Sequence, residues 1–309
     1  MHVGRVVFLL LPQLHLLDLA GPAQVFSAAA DSGLDYRQSF VAESSEVVSA
    51  QGLPVRAEVD WPDLDPADLV VVPGWRSPAS RAEPAQPATL RRLVAHHAAG
   101  GTVVSVCGGA YLLGRAGLLA GRRCTTHHEL QDELARRYPA ATVLNDRLYV
   151  VDDRVATSAG IASGIDLALH LMAVRHGPAL AARIAREMVV YARRNGHERQ
   201  DSAMLRYRSH LSDVVHRVQD VIDERFTEAL PLGELAGVAR VSERTLTRLF
   251  DASTGLTPLR YQQLLRVERA EHLIGHGVAV EAAARAVGFT DARMLRRLRA
   301  RARSTHSVG

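Results

Sequence analysis

The chain has 309 residues, 47% of them hydrophobic, and a formal net charge of +4, enough apolar material for one large or two medium cores. No apolar run approaches the roughly 20 residues of a membrane span. Two cysteines, Cys107 and Cys124, are too few for a disulfide framework, so a cytoplasmic protein is expected. Every basic residue is Arg, and the charge is uneven. Residues 1–210 carry 22 Arg against 21 acids, while residues 211–309 carry 15 against 12. Between Arg285 and Arg303 seven Arg face a single acid, Asp291. A basic bias of this kind fits a nucleic-acid partner, though alone it is a weak signal.

In chain order, Arg5 to Leu11 is a continuous apolar run closed by Pro12, the pattern of a strand buried on both faces. Asp18-Leu-Ala-Gly-Pro22 follows, then a helical pattern from Ala23 to Ala30. Tyr36–Ala42 reads as a second strand and Leu69–Val72 as a third, closed by Pro73-Gly74-Trp75. A helix is expected over Pro87–Ala99, ended by Gly100-Gly101. Thr102–Val106 is a fourth strand running into Cys107-Gly108-Gly109 and a helix over Ala110–Ala116. Leu130–Arg137 reads as helix, Leu148–Val151 and Val155–Ser158 as short strands, and Ile165–Arg175 and Pro178–Ala192 as helices. Strands alternating with helices across short turns predict an α/β parallel sheet covered on both faces.

Residues 193–209 are polar with few core-forming positions and read as a connection. From His210 the pattern is helical throughout: Leu211–Phe226, Leu232–Ala239, Ser242–Thr254, Pro258–Ile274, Val280–Val287 and Asp291 onward. Ser242 is a suitable N-cap, with Glu243 in the first turn. Leu246, Leu249 and Phe250 form one apolar stripe, and Arg244 and Arg248 lie four apart on the opposite side. With Leu232–Ala239 and a turn at Arg240-Val241, this is a helix-turn-helix. A shift of about 49 residues superposes Ser242 on Asp291, Arg244 on Arg293, Leu246 on Leu295, Arg248 on Arg297 and Leu249 on Leu298, so a second unit is expected. At the position of Phe250 the second copy has Arg299. A charge at a core position is costly unless it pairs or escapes, which predicts a second helix frayed after Leu298.

Residues 210–298 resemble the DNA-binding domain of AraC-type transcriptional regulators. The carrying residues are Leu235-Ala236, Ser242-x-Arg244-Thr245-Leu246-x-Arg248-x-Phe250, Gly255-x-Thr257-Pro258, Arg266-x-x-x-Ala270 and Ala284-x-x-Val287-Gly288-Phe289. Residues 4–192 resemble a PfpI-like domain, related to class I glutamine amidotransferases. That likeness rests on Asp18-Leu-Ala-Gly21-Pro22, Val72-Pro-Gly74, Val106-Cys107-Gly-Gly-Ala110, Gly117 to His127 and Ser158 to Asp166. The resemblances imply a flavodoxin-like α/β N-terminal domain over 1–195 and a linker over 196–209. An all-α domain with two helix-turn-helix units follows over 210–303, then a tail over 304–309.

They also imply a regulator that binds double-stranded DNA, with a small-molecule effector and a homodimer through the N-terminal domain as further partners. Arg244 and Arg248 would enter one major groove and Arg293 and Arg297 the next, about 34 Å away. Thr247 and Arg296 would reach base edges or phosphates. As ordinary surface charges such Arg would mean nothing; their repetition inside two helix-turn-helix frames favours DNA. Cys107, between a buried strand and a helix, resembles a nucleophile elbow with an exposed side chain and a thiol pKa lowered by the helix N-terminus. In related hydrolases and hydratases an acid after the first strand sits beside this cysteine, which makes Asp18 its counterpart, and His127 occupies the motif position after Thr125-Thr126.

Asp18, Gly74, Trp75, Cys107, Gly108 and His127 are therefore expected to rim a pocket at the strand ends. Gly108 stands where isonitrile-hydrating relatives carry a reactive Thr, so a ligand- or redox-sensing pocket is preferred to retained catalysis. A cysteine-dependent amidase, hydratase or glyoxalase is the alternative, and an inert inherited turn is the plain reading. Cys124 reads as a packing residue. The adjacent pairs His96-His97 and His127-His128 lack metal-ligand spacing, so no metal and no cofactor are expected.

Overall fold

The computed structural model describes residues 4–34, 36–76, 85–190, 194–196, 200, 206–275 and 277–304. The chain separates into two compact units, residues 1–200 and 201–309. Of the expected linker and tail, residues 197–199, 201–205 and 305–309 lie outside the described residues. Among the described residues no helix is long and apolar enough to cross a membrane.

The first unit is built on a six-stranded sheet in the order β2-β1-β5-β6-β10-β9. Its strands are β1 (Arg5–Leu9), β2 (Arg37–Val41), β5 (Leu69–Val72), β6 (Thr102–Val106), β10 (Val155–Ser158) and β9 (Tyr149–Asp152). The first five run parallel, and only β9 lies antiparallel, against β10. The apolar runs behave as their pattern predicts. On β1, Val6 and Phe8 enter one core layer with Leu10 just beyond, while Val7, Leu9 and Leu11 enter the other, because successive side chains point to opposite faces. Helices α1 (Leu16–Asp31), α5 (Ala162–His176) and α6 (Pro178–Glu187) bear on the first layer. Helices α3 (Gly109–Arg115) and α4 (Gln131–Arg137) bear on the second, with α2 (Pro87–Ala98).

Three local expectations differ. Helix α1 begins at Leu16, so Asp18 to Pro22 is helical. Gly21 is there for packing: a Cβ would stand 2.9 Å from Ile165 of α5. Helix α6 ends at Glu187, short of Ala192, and Val189 turns the chain with φ 55°. A hairpin of β3 (Glu46–Val48) and β4 (Pro54–Arg56) was not expected, because three-residue strands are too short to show alternation. Two-residue strands β7 (Arg123–Cys124) and β8 (Thr142–Val143) pair separately.

The second unit is all helix among its described residues: α7 (Asp213–Arg225), α8 (Leu232–Ala239), α9 (Glu243–Thr254), α10 (Pro258–Gly275), α11 (Val280–Ala286) and α12 (Ala292–Ser304). Two apolar clusters correspond to the two helix-turn-helix units. One gathers Val218, Leu235, Leu246, Phe250 and Tyr261; the other gathers Ala270, Ala284, Val287, Leu295 and Leu298. The expected fraying after Leu298 does not occur, because α12 continues to Ser304. Arg299 neither escapes nor stays unpaired: its Nε donates to Glu271 Oε1 at 2.6 Å.

Candidate functional site

The carboxyl ends of β5, β6 and β10 meet around Cys107. Strand β6 delivers the chain into Cys107 at φ 53°, a left-handed conformation that a non-glycine residue adopts at a cost of about 1–3 kcal/mol. The turn is held by its surroundings. The Cys107 N–H donates to the Ser158 carbonyl at 3.0 Å, and the Thr126 hydroxyl donates to the Cys107 carbonyl at 2.8 Å. A Cβ on Gly160 would overlap Cys107, and a Cβ on Gly109 would overlap the Val72 carbonyl. These glycines are required by close approach of backbones.

Asp18, in the first turn of α1, is fully buried beneath this elbow. Its Oδ1 accepts the Ile161 N–H at 2.6 Å. A Cβ on Gly74 would stand 2.5 Å from Asp18 Oδ2 and 2.8 Å from Cys107 Cβ. The structure thus brings Asp18, Gly74, Cys107 and Gly108 together. Trp75 contributes backbone: its carbonyl lies 3.6 Å from where a Gly108 Cβ would be, while its ring packs into the second core layer. The ring of His127 is 29% exposed, with Nδ1 3.8 Å from Glu129. It lies against the His128 ring at 4.2 Å between centroids, and burial lowers its pKa.

Two expectations about Cys107 are corrected. Its side chain is 8% exposed, not open. Burial first, and the charge of Asp18 second, push the thiol up to about 12, although the Gly108 N–H favours the thiolate. A helix of about two turns, with no side-chain cap, does not offset removal from water and a neighbouring carboxylate. Burial likewise raises the Asp18 carboxyl above its ordinary range, opposed by the Ile161 N–H. The pair therefore disfavours two negative charges, and the thiol keeps its proton at neutral pH.

Sequence reasoning missed three participants. Ile161 holds φ 51° to aim its N–H at Asp18. Thr126 was visible in the motif, but its bond to the elbow was not. Gln200 falls in the expected linker, yet its Nε2 donates to the Thr126 carbonyl at 2.9 Å and the Arg147 carbonyl at 2.8 Å. Nearby, Arg194 donates through Nε at 3.0 Å and through its backbone N–H at 3.0 Å to the buried Asp166 carboxylate. Gly196 accepts the Leu148 N–H at 3.1 Å. These parts of the expected connection are bound to the first unit, and Cys107 is two hydrogen-bonded steps from Gln200.

In the second unit, Ser242 caps α9 by accepting the Thr245 N–H at 3.2 Å. Arg244 and Arg248 are exposed, opposite buried Leu246 and Phe250. Thr247 is half-buried, and its hydroxyl donates to the Glu243 carbonyl at 3.0 Å, leaving it an acceptor only. The repeat is geometric as well as sequential: Asp291 Oδ1 accepts the Arg293 N–H at 2.8 Å at the start of α12. Arg293, Arg296 and Arg297 are exposed. Arg296 is ion-paired to Glu281, and Arg297 contacts the Met294 sulfur at 3.0 Å.

Residues 4–174 match the DJ-1/PfpI family, and residues 235–304 match a helix-turn-helix domain. The chain is 32% identical over 272 residues to the HTH-type transcriptional regulator CdhR of Pseudomonas aeruginosa, covering 86% of this chain and 79% of that protein. It is 35% identical over 167 residues to an isonitrile hydratase of Pseudomonas putida, covering 54% of this chain and 70% of that enzyme. A solved AraC family transcriptional regulator from Pseudomonas putida superposes with a TM-score of 0.51 at 25% identity, over 60% of this chain and 99% of that one. With a match over more than half its length, an elbow built on Cys107 and a duplicated helix-turn-helix behind it, the chain belongs to the DJ-1/PfpI family and carries an AraC-type helix-turn-helix domain at its C-terminal end.

Proposed function

We propose that this chain is a sequence-specific, DNA-binding transcription regulator whose N-terminal domain senses a small molecule at the Asp18–Cys107 site. The observation that carries the reading is the second unit. Two capped helices, α9 and α12, each bury one face and expose Arg244 and Arg248 or Arg293 and Arg297 on the other. Helices of this form read base edges in the major groove, and a good Arg–guanine pair discriminates by about 1–3 kcal/mol. Arg296, engaged by Glu281, fits a phosphate-facing role better than a base-reading one. The bonds from Cys107 to Thr126 and from Thr126 to Gln200 supply a route by which occupancy of the first unit alters the chain leading to the second.

Selection of bound duplexes from a random pool tests the reading. The full chain is expected to enrich one motif with two separated segments, and R244A/R248A to lose base preference in one segment only. Unchanged preference in that variant removes those two contacts. The effector, and a homodimer through the N-terminal domain, belong to the same proposal. Sedimentation of the full chain with and without DNA reads the latter.

A cysteine-dependent enzyme is the second reading, favoured by the stretch shared with an isonitrile hydratase. The raised, buried thiol opposes it, because the thiolate is the nucleophile. A panel of amides, isonitriles and 2-oxoaldehydes is expected to show no turnover that disappears in C107A.

A further inference from the structure

Beyond the residues that would touch DNA, a side chain among the described residues of the second unit bonds to both helix-turn-helix halves. Arg266, on the connecting helix α10, directs its guanidinium at three backbone carbonyls. Its Nε donates to Phe226 at 2.6 Å and its Nη2 to Glu228 at 2.6 Å, both in the loop between α7 and α8 of the first half. Its Nη1 donates to Gly288 at 2.9 Å, in the turn between α11 and α12 of the second half. The guanidinium also lies over the Phe289 ring, 5.6 Å from its centroid. Gln262, one turn earlier, donates to the same Phe226 and Glu228 carbonyls at 3.0 and 2.8 Å.

The two halves also press together here. Gly288 has φ 84°, and a Cβ on it would collide with the Thr227 carbonyl. Phe226 packs against both apolar clusters. Helix α10 runs continuously from one half into the other. A lone helix fixes distance well but leaves rotation about its axis to be set by whatever packs on it.

We infer that Arg266 is a positioning residue that sets the separation and phase of the two DNA segments read by α9 and α12. The inference rests on the DNA-binding reading above. Its three donors match carbonyls that belong to different halves, and the planar guanidinium holds them in one geometry that a lysine cannot reproduce. Arg266 is half-buried, and its charge is directed at protein carbonyls. It acts on DNA through the spacing of other residues.

The test is selection from random duplexes by the full chain, its R266M variant and its R266K variant, with thermal unfolding measured alongside. The wild type is expected to enrich two segments at one separation. R266M is expected to keep the base preference of each segment but accept separations differing by one or more base pairs. Its affinity for the wild-type site should fall about tenfold, with an unchanged slope of log affinity against log salt. R266K should lie between. Gly288→Ala, which wedges the junction from the opposite side, should shift or broaden the separation with Arg266 intact, and it carries the test if R266M does not fold.

A folded R266M, R266K or Gly288→Ala protein with the single wild-type separation overturns the inference, and the contact is then only a staple of stability. A salt slope lowered by about one in R266M overturns it differently, by making Arg266 a phosphate contact. A wild type that enriches no motif overturns the DNA-binding reading itself and this inference with it.

Discussion

Arg299 and Glu271 face each other across α12 and α10 as a two-point ion pair, Nε to Oε1 at 2.6 Å and Nη2 to Oε2 at 3.1 Å. Arg299 stands where the repeat places Phe250, a fully buried ring in the first half. Its side chain is only 19% exposed. The second half has thus replaced an aromatic core contact by a charged one at the rim of its core. Parallel Arg–carboxylate bonds are among the stronger charge-assisted ones. Losing Glu271, itself 43% exposed, leaves the less accessible Arg299 without its partner.

Replacing Glu271 by Ala is expected to destabilise the second half by about 1 kcal/mol, because the carboxylate is 43% exposed and screened by solvent while Arg299 is not. R299F, which restores the apolar character of the repeat position, is expected to be neutral or stabilising. Calorimetry that separates the transitions of the two units checks both. Equal melting of E271A and wild type would mean that the pair contributes nothing.

Cys107 should react slowly with iodoacetamide at neutral pH and faster as the pH rises, because its thiol is pushed up to about 12. The charge of Asp18 is the second cause, so D18N removes a repulsion and is expected to move the alkylation profile to lower pH. A C124S background isolates the signal. Stability follows the same sign. The folded thiol holds its proton above the ordinary value of 9.0, so its contribution is complete below pH 9 and is lost as the pH rises toward 12. Chemical denaturation between pH 8 and pH 11 should show the loss, and C107S should show less of it. An alkylation profile in D18N identical to that of wild type would disconnect the two groups.

Gly160 has φ 98° and sits against the Cβ of Cys107. Gly160→Ala adds both an overlap and a disfavoured backbone conformation, a cost of about 2–4 kcal/mol. The expected readout is a lower Tm for the first unit with the second-unit transition unchanged. An unaltered first-unit Tm would mean that the elbow yields without strain.

Gln200 is held by the carbonyls of Thr126 and Arg147, and its own N–H donates to Asp146 Oδ1 at 3.0 Å. Gln200→Ala removes the side-chain donors and is expected to raise amide exchange at Leu148, which donates to Gly196 in the same segment. T126V should transmit a smaller change, because it cuts the link to Cys107 and leaves the Thr126 carbonyl in place. Protection at Leu148 unaffected by Q200A would remove Gln200 as an anchor.

Much of the molecule was legible before folding. Buried parallel strands declare themselves as unbroken apolar runs, so β1, β5 and β6 were read within about two residues. The helices of the second unit follow caps and stripes that are local properties, and Ser242 caps α9 as its chemistry predicts. Helix α1 starts ahead of its apparent pattern, because Gly21 and Pro22 look like chain breakers. Their reason for being there is contact with α5, which no local pattern encodes.

What the sequence determined by itself was the pair of architectures, the duplicated helix-turn-helix and the gathering of Asp18, Gly74 and Gly108 around Cys107. Each of these is written in periodicity, capping or a motif of fixed spacing. Only the tertiary structure decided how those residues behave. The Cys107 thiol is raised because the loops after β5, β6 and β10 exclude water and set Asp18 beside it. Arg299 is tolerated because Glu271, 28 residues earlier, reaches it, and Arg266 joins two halves through carbonyls far from it in sequence. Burial and long-range pairing set these energies, and both exist only once distant segments are packed together.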